Sequence, residues 1–352
     1  TLEILDKQPR RLLEIEGIGK KKLERIQQSW SRQQDVRSVM IFLQNYGVSP
    51  AFAQRIFKKF GEKSIELVRA NPYRLSTDIE GIGFLKADNI AQQMNFDIEH
   101  PMRIESGLVY TLHQMARNGH SCYPQKLLLK EAAYLLSCGT ELIQKAIDRL
   151  AATEVIVSKV LYLSSIPKTY IWLKINYQYE KVIAEEIQRL KLYEDVVDAG
   201  QWERDIETSA QKKGITLAQQ QELAVQMSLK EKVHIITGGP GTGKSTITKV
   251  VLDICSQYSK SVVLAAPTGR AAKRMTEITH KEASTIHALL VYDFISGYFR
   301  KNRNEPLTCE VLIIDEASMI DAFLMAALLQ AIPDNCKLIL VGDTDQLPSV
   351  GA

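Results

Sequence analysis

The chain of 352 residues has no apolar run that approaches the roughly 18 residues a transmembrane helix needs, so we expect no membrane contact. Its first residues, Thr1-Leu2-Glu3-Ile4, lack the basic and apolar regions of a signal peptide. The five cysteines form no CxxC pair, which argues against a zinc site and favours reduced, buried thiols in a cytoplasmic protein. A net charge of only +3 does not by itself indicate a nucleic-acid partner.

Length and composition predict a multidomain protein with packed cores. The chain is longer than one ordinary domain, and its 45% hydrophobic and 24% charged residues are typical of globular proteins. Changes of pattern along the chain predict four parts. The first is a helical region with repeated glycine turns (1–100), and the second has three helices with a hairpin (101–166). The third part (167–213) has a helix at 170–192 and a polar linker at 194–213. The fourth has alternating strands and helices (214–352).

Short glycine turns recur at roughly 30-residue spacing in the first part. Gly17-Ile18-Gly19 and Gly81-Ile82-Gly83 precede apolar residues at helical spacing, and Gly47-Val48-Ser49-Pro50 is a degenerate copy. These turns resemble helix–hairpin–helix motifs, in which free amides at the start of the second helix hold a DNA phosphate. The cations beside them favour DNA contact at Gly17, Gly19, Lys20, Gly81 and Gly83, and a purely structural joint is the alternative.

The second part resembles a winged helix–turn–helix module. Helical patterns at 104–118, 125–136 and 141–152 are followed by a β-rich stretch at 155–163 that reads as a hairpin. The second and third helices carry few basic residues, so a recognition helix for the major groove is not evident. A structural or protein-contact role is therefore favoured for this module.

A phosphate-binding loop, Gly238-Gly239-Pro240-Gly241-Thr242-Gly243-Lys244-Ser245, follows the apolar run 233–237 and precedes a helical pattern. Its glycines let consecutive N–H groups form an anion-binding nest, and the helix directs its positive dipole end to the same place. Lys244 can reach the terminal phosphates, and Ser245 offers a hydroxyl to Mg²⁺. The loop therefore predicts binding of a nucleoside triphosphate.

Four short apolar runs at 233–236, 261–265, 311–314 and 337–341 alternate with helical patterns, notably at 244–258 and 319–331. This alternation predicts an α/β domain with a mostly parallel sheet and ligands beyond the carboxyl ends of the strands. The third run ends in Asp315-Glu316, which is typical of a Walker B element. Asp315 would hold the Mg²⁺ shell and Glu316 would orient and deprotonate the attacking water, whereas an acidic helix N-cap is the alternative.

Four further runs make a resemblance specific. They contain Gln221, Thr268 with Arg270, Thr285 with His287, and Gln346, and they lie at 217–225, 266–275, 283–290 and 341–350. In order and spacing these runs resemble motifs Q, Ia, Ib and III of superfamily-one helicases. Their amino-acid sequences most resemble those of RecD-like helicases. The glycine turns and the winged-helix-like module match the RecD-like proteins that act outside a RecBCD complex. The resemblance implies a RecA-like ATPase lobe at 214–352.

The resemblance also implies ATP and Mg²⁺ as cofactors and a function in DNA repair or recombination. Single-stranded DNA and DNA junctions or tails would be the partners, and movement would be 5′-to-3′; protein partners are unknown. Gln221 would read the adenine edge, and Gln346 would sense the γ-phosphate. The residues that cradle the phosphates would be Gly239, Pro240, Gly241, Thr242, Gly243, Lys244, Ser245 and Thr246. The catalytic set would be Lys244, Asp315, Glu316 and Gln346.

Thr268, Arg270, Thr285 and His287 would contact single-stranded DNA by the same resemblance. A hydroxyl and a cation at strand ends suit phosphate oxygens. For His287 a buried core histidine is an equal alternative, and Lys273 and Arg274 are also consistent with a solvated helix face.

A superfamily-one helicase closes two RecA-like lobes on ATP, and the second lobe supplies arginines to the phosphate. The chain ends at Ala352, soon after motif III, so we expect a piece of a longer protein whose 352 residues alone hydrolyse ATP poorly and do not unwind DNA. A DNA-binding nucleotide switch without unwinding is an alternative function, and a scaffold with a vestigial ATP site is another. The intact Lys244, Ser245, Asp315 and Glu316 count against the scaffold.

Overall fold

A computed structural model describes residues 9–15, 18–162, 166–193, 199–259, 261–343, 345–346, 349 and 351–352. The chain forms two compact units, one of Thr1–Thr111 with Lys126–Thr153 and one of Leu112–Gln125 with Glu154–Ala352. The four-part division expected from the sequence stays a prediction. Within the described ranges, none of the helices combines the length and the apolar character that crossing a bilayer requires.

The first unit is built from helices. Two short 3₁₀ turns, Pro9–Glu14 and Gly61–Lys63, accompany them. The helices are α1 (Lys20–Gln44), α2 (Pro50–Phe60), α3 (Ser64–Ala70), α4 (Arg74–Asp78), α5 (Phe84–Gln93), α6 (Pro101–Arg117, which begins in this unit), α7 (Gln125–Leu136) and α8 (Thr140–Ala152).

The repeated turns share one backbone geometry. Gly19, before α1, has φ −87° and ψ 173°, and Gly83, before α5, has φ −86° and ψ 172°. Ser49, before α2, is extended as well, with φ −66° and ψ 153°. Each of the three accepts a helix-starting hydrogen bond from the residue four positions on, at 3.0–3.1 Å. The three predicted turns therefore each start a helix, and the internal repeat stays a prediction.

The second and third hairpins pack together at Gly81. This residue has a left-handed φ of +86°, and a Cβ atom there would lie 3.3 Å from Phe52 Cε1. Arg55 Nη1 donates a hydrogen bond to the Glu80 carbonyl at 3.1 Å, and Lys86 Nζ lies 4.7 Å from the centre of the Phe52 ring. The backbone conformation therefore favours glycine here, and an added side chain would make a tight contact with Phe52.

A buried ion pair links α5 to α6. Arg103 donates to both carboxylate oxygens of Asp88, at 2.7 and 3.0 Å, and the Tyr73 hydroxyl donates to the same carboxylate at 2.8 Å. Arg103 also donates to the carbonyls of Ile98 and Leu136. Burial, reinforced by Asp88, raises the pKa of the Tyr73 hydroxyl, so it remains a donor.

We expect Asp88→Asn to destabilise the first unit by about 3–5 kcal/mol, because it leaves the buried Arg103 charge uncompensated. Asp78→Asn is the matched control, since its partner Arg74 lies on the surface and such a pair is worth about 0–1 kcal/mol. Hydrogen exchange of the α5 and α6 amides across a urea series measures both changes. Equal effects of the two substitutions would contradict the prediction.

The second unit contains a small antiparallel sheet with the order β1-β3-β2, formed by β1 (Cys122–Pro124), β2 (Ile156–Leu161) and β3 (Lys168–Leu173). Along the chain the three predicted helices precede a β-hairpin, with β1 between the first two helices, and the winged-helix resemblance stays a prediction. The hairpin predicted within 155–163 is wrong in extent, because its second strand is β3. The helix predicted at 170–192 is wrong at its start for the same reason. Residues 170–173 pair with β2 and bury Ile171 and Trp172.

Three helices lead into the nucleotide-binding region: α9 (Lys174–Lys191), α10 (Ala199–Lys212) and α11 (Gln219–Lys230). The polar linker predicted up to residue 213 is wrong, since α10 is an ordered part of the second unit. Ile206 and Ala210 lie one turn apart and are buried, and Ser209 Oγ donates to Asp253 Oδ2 at 2.7 Å. The apolar stripe of this mostly polar helix is narrow, so the sequence pattern did not predict a packed helix.

A five-stranded parallel sheet forms the centre of the second unit, with the order β4-β10-β9-β5-β6. Four of its five strands lie within one residue of the runs predicted at 233–236, 261–265, 311–314 and 337–341, and the fifth, at 283–285, was not predicted. They and their helices are β4 (Val233–Thr237), α12 (Lys244–Tyr258), β5 (Val262–Ala266), α13 (Gly269–Thr279), β6 (Ala283–Thr285), α14 (Ile286–Leu289), β9 (Val311–Ile314), α15 (Ala322–Ala331) and β10 (Lys337–Gly342). A two-stranded hairpin, β7 (Tyr292–Asp293) with β8 (Tyr298–Phe299), precedes β9.

Helices cover both faces of this sheet. Val311 and Ile313 pack with α10, α11 and α12 on one face, whereas Leu312 and Ile314 pack with α9 and α15 on the other. Glu186 of α9 is 2% exposed and accepts from Arg189 at 2.7 Å and from Arg303 at 2.8 Å. Arg189 also donates to the carbonyls of Leu329 and Ile332, at the end of α15. Helix α9 is therefore fixed to the sheet domain.

Candidate active site

The predicted motifs follow strands that end at one edge of the sheet. Gly342 is paired with Thr237, Leu340 with Ile314, and Ala266 with Thr285, so the carboxyl ends of all five parallel strands lie side by side. The phosphate loop follows β4, the Asp-Glu pair follows β9, and the Gly-Asp-Thr-Asp-Gln run follows β10. Since β10 lies between β4 and β9, these three motifs are neighbours.

The loop from Gly238 to Gly243 has the tight turns expected of a phosphate cradle. Gly241 and Gly243 have left-handed φ values of +76° and +86°. Thr242 Oγ1 donates to the Gly239 carbonyl at 2.9 Å, and Pro240 at the tip is exposed. Helix α12 starts at Lys244, which places Ser245 and Thr246 in its first turn. The Thr246 N–H donates to the Gly243 carbonyl at 2.9 Å, and the N–H groups before it, at the helix start, are suited to an anion.

The Lys244 ammonium group is held by the loop and by an acid that sequence reasoning did not select. It donates to the Gly238 carbonyl and, at 2.9 Å, to the Gly239 carbonyl, and it lies 3.7 Å from Asp343 Oδ2. Asp343 is 1% exposed and also accepts from Gln346 Nε2 at 3.2 Å. The sequence signal for this residue is its place as the first acid after β10.

Hydrogen bonding keeps Asp343 ionised. The backbone N–H of Asp345 donates to its Oδ1 at 3.1 Å, and this bond, with smaller effects of Gln346 and Lys244, lowers the pKa of the Asp343 carboxyl. The structure thus brings Lys244, Asp343 and Gln346 into one chain of contacts. A charge held between the phosphate loop and Gln346 is suited to transmit changes at the phosphate.

Asp315 and Glu316 lie at the end of β9 in a strained turn. The Asp315 N–H donates to the Ala265 carbonyl at 3.0 Å, and the Glu316 N–H donates to Asp315 Oδ1 at 2.9 Å. Glu316 has a left-handed φ of 53° and ψ of 40°, which is costly for a residue with a side chain. These carboxylates are therefore not the N-cap of a regular helix, and a 3₁₀ turn at Ala317–Met319 follows.

Burial, followed by the charge of Asp315, raises the pKa of the Glu316 carboxyl. The positive charges of Arg274 and Lys244 oppose that rise, and Arg274 is exposed on α13. Glu316 Oε2 is buried and has no hydrogen-bond partner among the residues that the structure describes. A carboxyl with a raised pKa and a free oxygen has the properties of a general base.

The oxygen donors at this edge fit a magnesium ion. Ser245 and Asp315 offer a hydroxyl and a carboxylate, which are hard oxygen ligands. Within the described part of the chain, no group of three or more His, Cys, Asp or Glu residues could hold a metal by itself. Mg²⁺ characteristically binds one or two protein oxygens together with phosphate oxygens and water. Ser245 and Asp315 could therefore hold the ion together with the oxygens of a bound triphosphate.

Gln221 lies against the phosphate loop. Its Oε1 accepts from the Ala218 N–H at 3.0 Å, and its Nε2 donates to the Thr242 carbonyl at 3.0 Å. The sequence signal that found it is the motif at 217–225, but the contact with Thr242 could not be read from that motif.

The residues predicted to touch single-stranded DNA lie at the ends of β5 and β6. Thr268 and Thr285 cap α13 and α14, accepting from the N–H groups of Ala271 at 3.2 Å and Ala288 at 3.1 Å. Arg270 and His287 are exposed, and the His287 ring centre lies 5.6 Å from those of Tyr292 and Phe299. The alternative of a buried core histidine at His287 is therefore wrong.

The predicted hairpin residues lie in the first unit. Gly19 and Gly83 precede α1 and α5, Gly81 lies in the third hairpin, and Lys20 is exposed at the start of α1. Gly17 lies outside the described residues. Exposed cations beside free helix-start amides suit phosphate contact.

Two family models match the chain. One, described as an AAA domain, matches residues 221–352, and the other, described as the HHH domain of the ATP-dependent RecD2 DNA helicase, matches residues 32–122. The ATP-dependent RecD2 DNA helicase of Deinococcus radiodurans is 34% identical over 100% of this chain and 49% of its own length. The chain belongs to the RecD-like helicase family with N-terminal helix–hairpin–helix repeats.

Other relatives match a smaller share of this RecD-like chain. The RecBCD enzyme subunit RecD of Haemophilus influenzae is 38% identical over 38% of the chain and 24% of its own length. The ATP-dependent DNA helicase dda of Enterobacteria phage T4 is 39% identical over 36% of the chain and 30% of its own length. The chain spans about half the length of its RecD2 relative and less of the others.

Proposed function

We propose that this RecD-like chain acts in ATP-dependent unwinding of DNA, as a helicase that moves 5′-to-3′. The observation that carries the proposal is the meeting of the phosphate loop, the Asp315-Glu316 pair and the Asp343–Gln346 contact at one edge of the sheet. The relatives named as ATP-dependent DNA helicases support it. The 5′-to-3′ direction comes from the family resemblance alone.

In the proposed reaction the side chains at this edge divide the work. Lys244 exchanges its loop carbonyls for phosphate oxygens and stabilises the charge of the transferred phosphoryl group. Glu316 accepts a proton from water as the water oxygen attacks the γ-phosphorus, and the bond to the bridging oxygen breaks to give ADP and phosphate. Mg²⁺ at Ser245 and Asp315 would neutralise phosphate charge. Gln346 would pass the change to the DNA side through Asp343.

The proposed DNA contacts lie on two surfaces. Thr268, Arg270, Thr285 and His287 would hold single-stranded DNA beside the ATPase edge, and their exposure supports this assignment for Arg270 and His287. The hairpins at Gly19 and Gly83 would hold backbone phosphates of DNA junctions or tails. A cytoplasmic location, where DNA and ATP are both present, belongs to the same proposal.

Strand displacement by the complete gene product tests the proposal. We expect MgATP-dependent unwinding of a duplex with a 5′ single-stranded tail, but not of a blunt or 3′-tailed duplex. Single-stranded DNA should stimulate hydrolysis of ATP. Hydrolysis of ATP without strand displacement of any substrate would favour the nucleotide switch. Activity that does not depend on nucleotide would favour the scaffold.

A further inference from the structure

The amide group of Gln221 is engaged at both ends within the protein. Its oxygen faces the Ala218 N–H, which can only donate, and its nitrogen faces the Thr242 carbonyl, which can only accept. The two partners therefore fix the orientation of the amide without ambiguity. Gln221 joins the start of α11 to the phosphate loop.

The contact lies where the loop turns into α12. Gly243 follows Thr242 and has a left-handed φ of +86°, and a Cβ atom on it would lie 2.4 Å from Gln221 Nε2. Lys244, the next residue, starts the helix. The amide is therefore packed against the turn that orients both Lys244 and the free N–H groups of the first helical turn.

We propose that Gln221 is a positioning residue of the phosphate loop. It holds the Thr242 carbonyl so that the loop is set for a triphosphate, whatever base the triphosphate carries. The inference rests on the proposed nucleotide function and differs from the adenine-reading role that the resemblance implies. A bond to a loop carbonyl does not discriminate between bases, so its loss should weaken every triphosphate equally.

Two substitutions separate this role from capping of α11. Gln221→Ala removes both contacts. Gln221→Glu keeps an oxygen that can accept from the Ala218 N–H but has no N–H to donate to the Thr242 carbonyl. Gln220→Glu, at the neighbouring exposed position, adds the same charge and serves as the matched control.

Calorimetric titration of the 352-residue chain with MgATP, MgGTP and Mg-tripolyphosphate gives the test. One hydrogen bond is worth about 1 kcal/mol, so Gln221→Ala should weaken all three ligands by the same factor of roughly 5–10. Gln221→Glu should lose a similar factor relative to Gln220→Glu, since the Thr242 bond is missing there as well. Hydrogen exchange of residues 238–245, measured without nucleotide, should be faster in Gln221→Ala and Gln221→Glu and unchanged in Gln220→Glu.

Unchanged binding of tripolyphosphate by Gln221→Ala would overturn the inference, because the residue would then act on the base. Binding and hydrogen exchange of Gln221→Glu equal to those of Gln220→Glu, with losses only in Gln221→Ala, would overturn it in favour of helix capping. Failure of the wild type to bind any of the three ligands would contradict the proposed nucleotide function instead. Hydrogen exchange would still show whether Gln221 orders the loop.

Discussion

Glu316→Gln is expected to reduce ATP hydrolysis by the complete gene product by about 10²–10⁴-fold, the usual contribution of a general base. The amide keeps the size of the side chain but cannot accept the proton of the attacking water. Binding of ATP should remain close to that of the wild type, because Lys244 and the loop are untouched. Steady-state hydrolysis and equilibrium binding of a non-hydrolysable ATP analogue measure the two effects.

Glu277→Gln is the matched control, since Glu277 is exposed on α13 in the same domain. It should hydrolyse ATP at the wild-type rate. Retention of more than a tenth of the activity by Glu316→Gln would mean that another group accepts the proton. Loss of binding together with hydrolysis would mean that Glu316 supports the structure of the site.

Lys244→Ala should lower ATP hydrolysis by about 10²–10³-fold, the effect of losing one donor to the developing charge, and should also weaken triphosphate binding. The substitution removes the cation that lies 3.7 Å from the buried Asp343 as well. The combined loss of binding and turnover distinguishes it from Glu316→Gln. Hydrolysis and binding assays on the complete gene product measure both quantities.

Lys249→Ala, five residues further along α12, controls for loss of a positive charge from the same helix. Its hydrolysis rate should equal that of the wild type. Wild-type activity of Lys244→Ala would support the scaffold alternative, in which the ATP site is vestigial. Far-UV circular dichroism excludes unfolding as the cause of any loss.

Four strands of the parallel sheet were predictable because they are short, continuous apolar runs with polar motifs directly after them, whereas β6 contains Ser284 and Thr285 and was not predicted. The strand at 311–314 and the helix at 244–258 agree with the structure residue for residue. Buried parallel strands leave a strong signal, since both of their faces need apolar side chains. The sequence predicts Asp315 and Lys244 at the carboxyl ends of parallel strands, and the order of the strands comes from the structure.

Elements that depend on partners distant in sequence were not predictable. Helix α10 buries only a narrow stripe around Ile206 and Ala210, and its bond to Asp253 spans 44 positions. Residues 170–173 continue a helical pattern but pair with β2. Asp343 and the partner of Gln221 were missed for the same reason, because their contacts with Lys244 and Thr242 exist only once the chain has folded.

Titration of the 352-residue chain with a non-hydrolysable ATP analogue, in the presence and absence of Mg²⁺, addresses the shared triphosphate and metal site most directly. We predict one binding site whose affinity rises with Mg²⁺ in the wild type. In Asp315→Asn the metal effect should be lost while metal-free binding remains. No binding, or an affinity that Mg²⁺ does not change in the wild type, would contradict a common site at these strand ends.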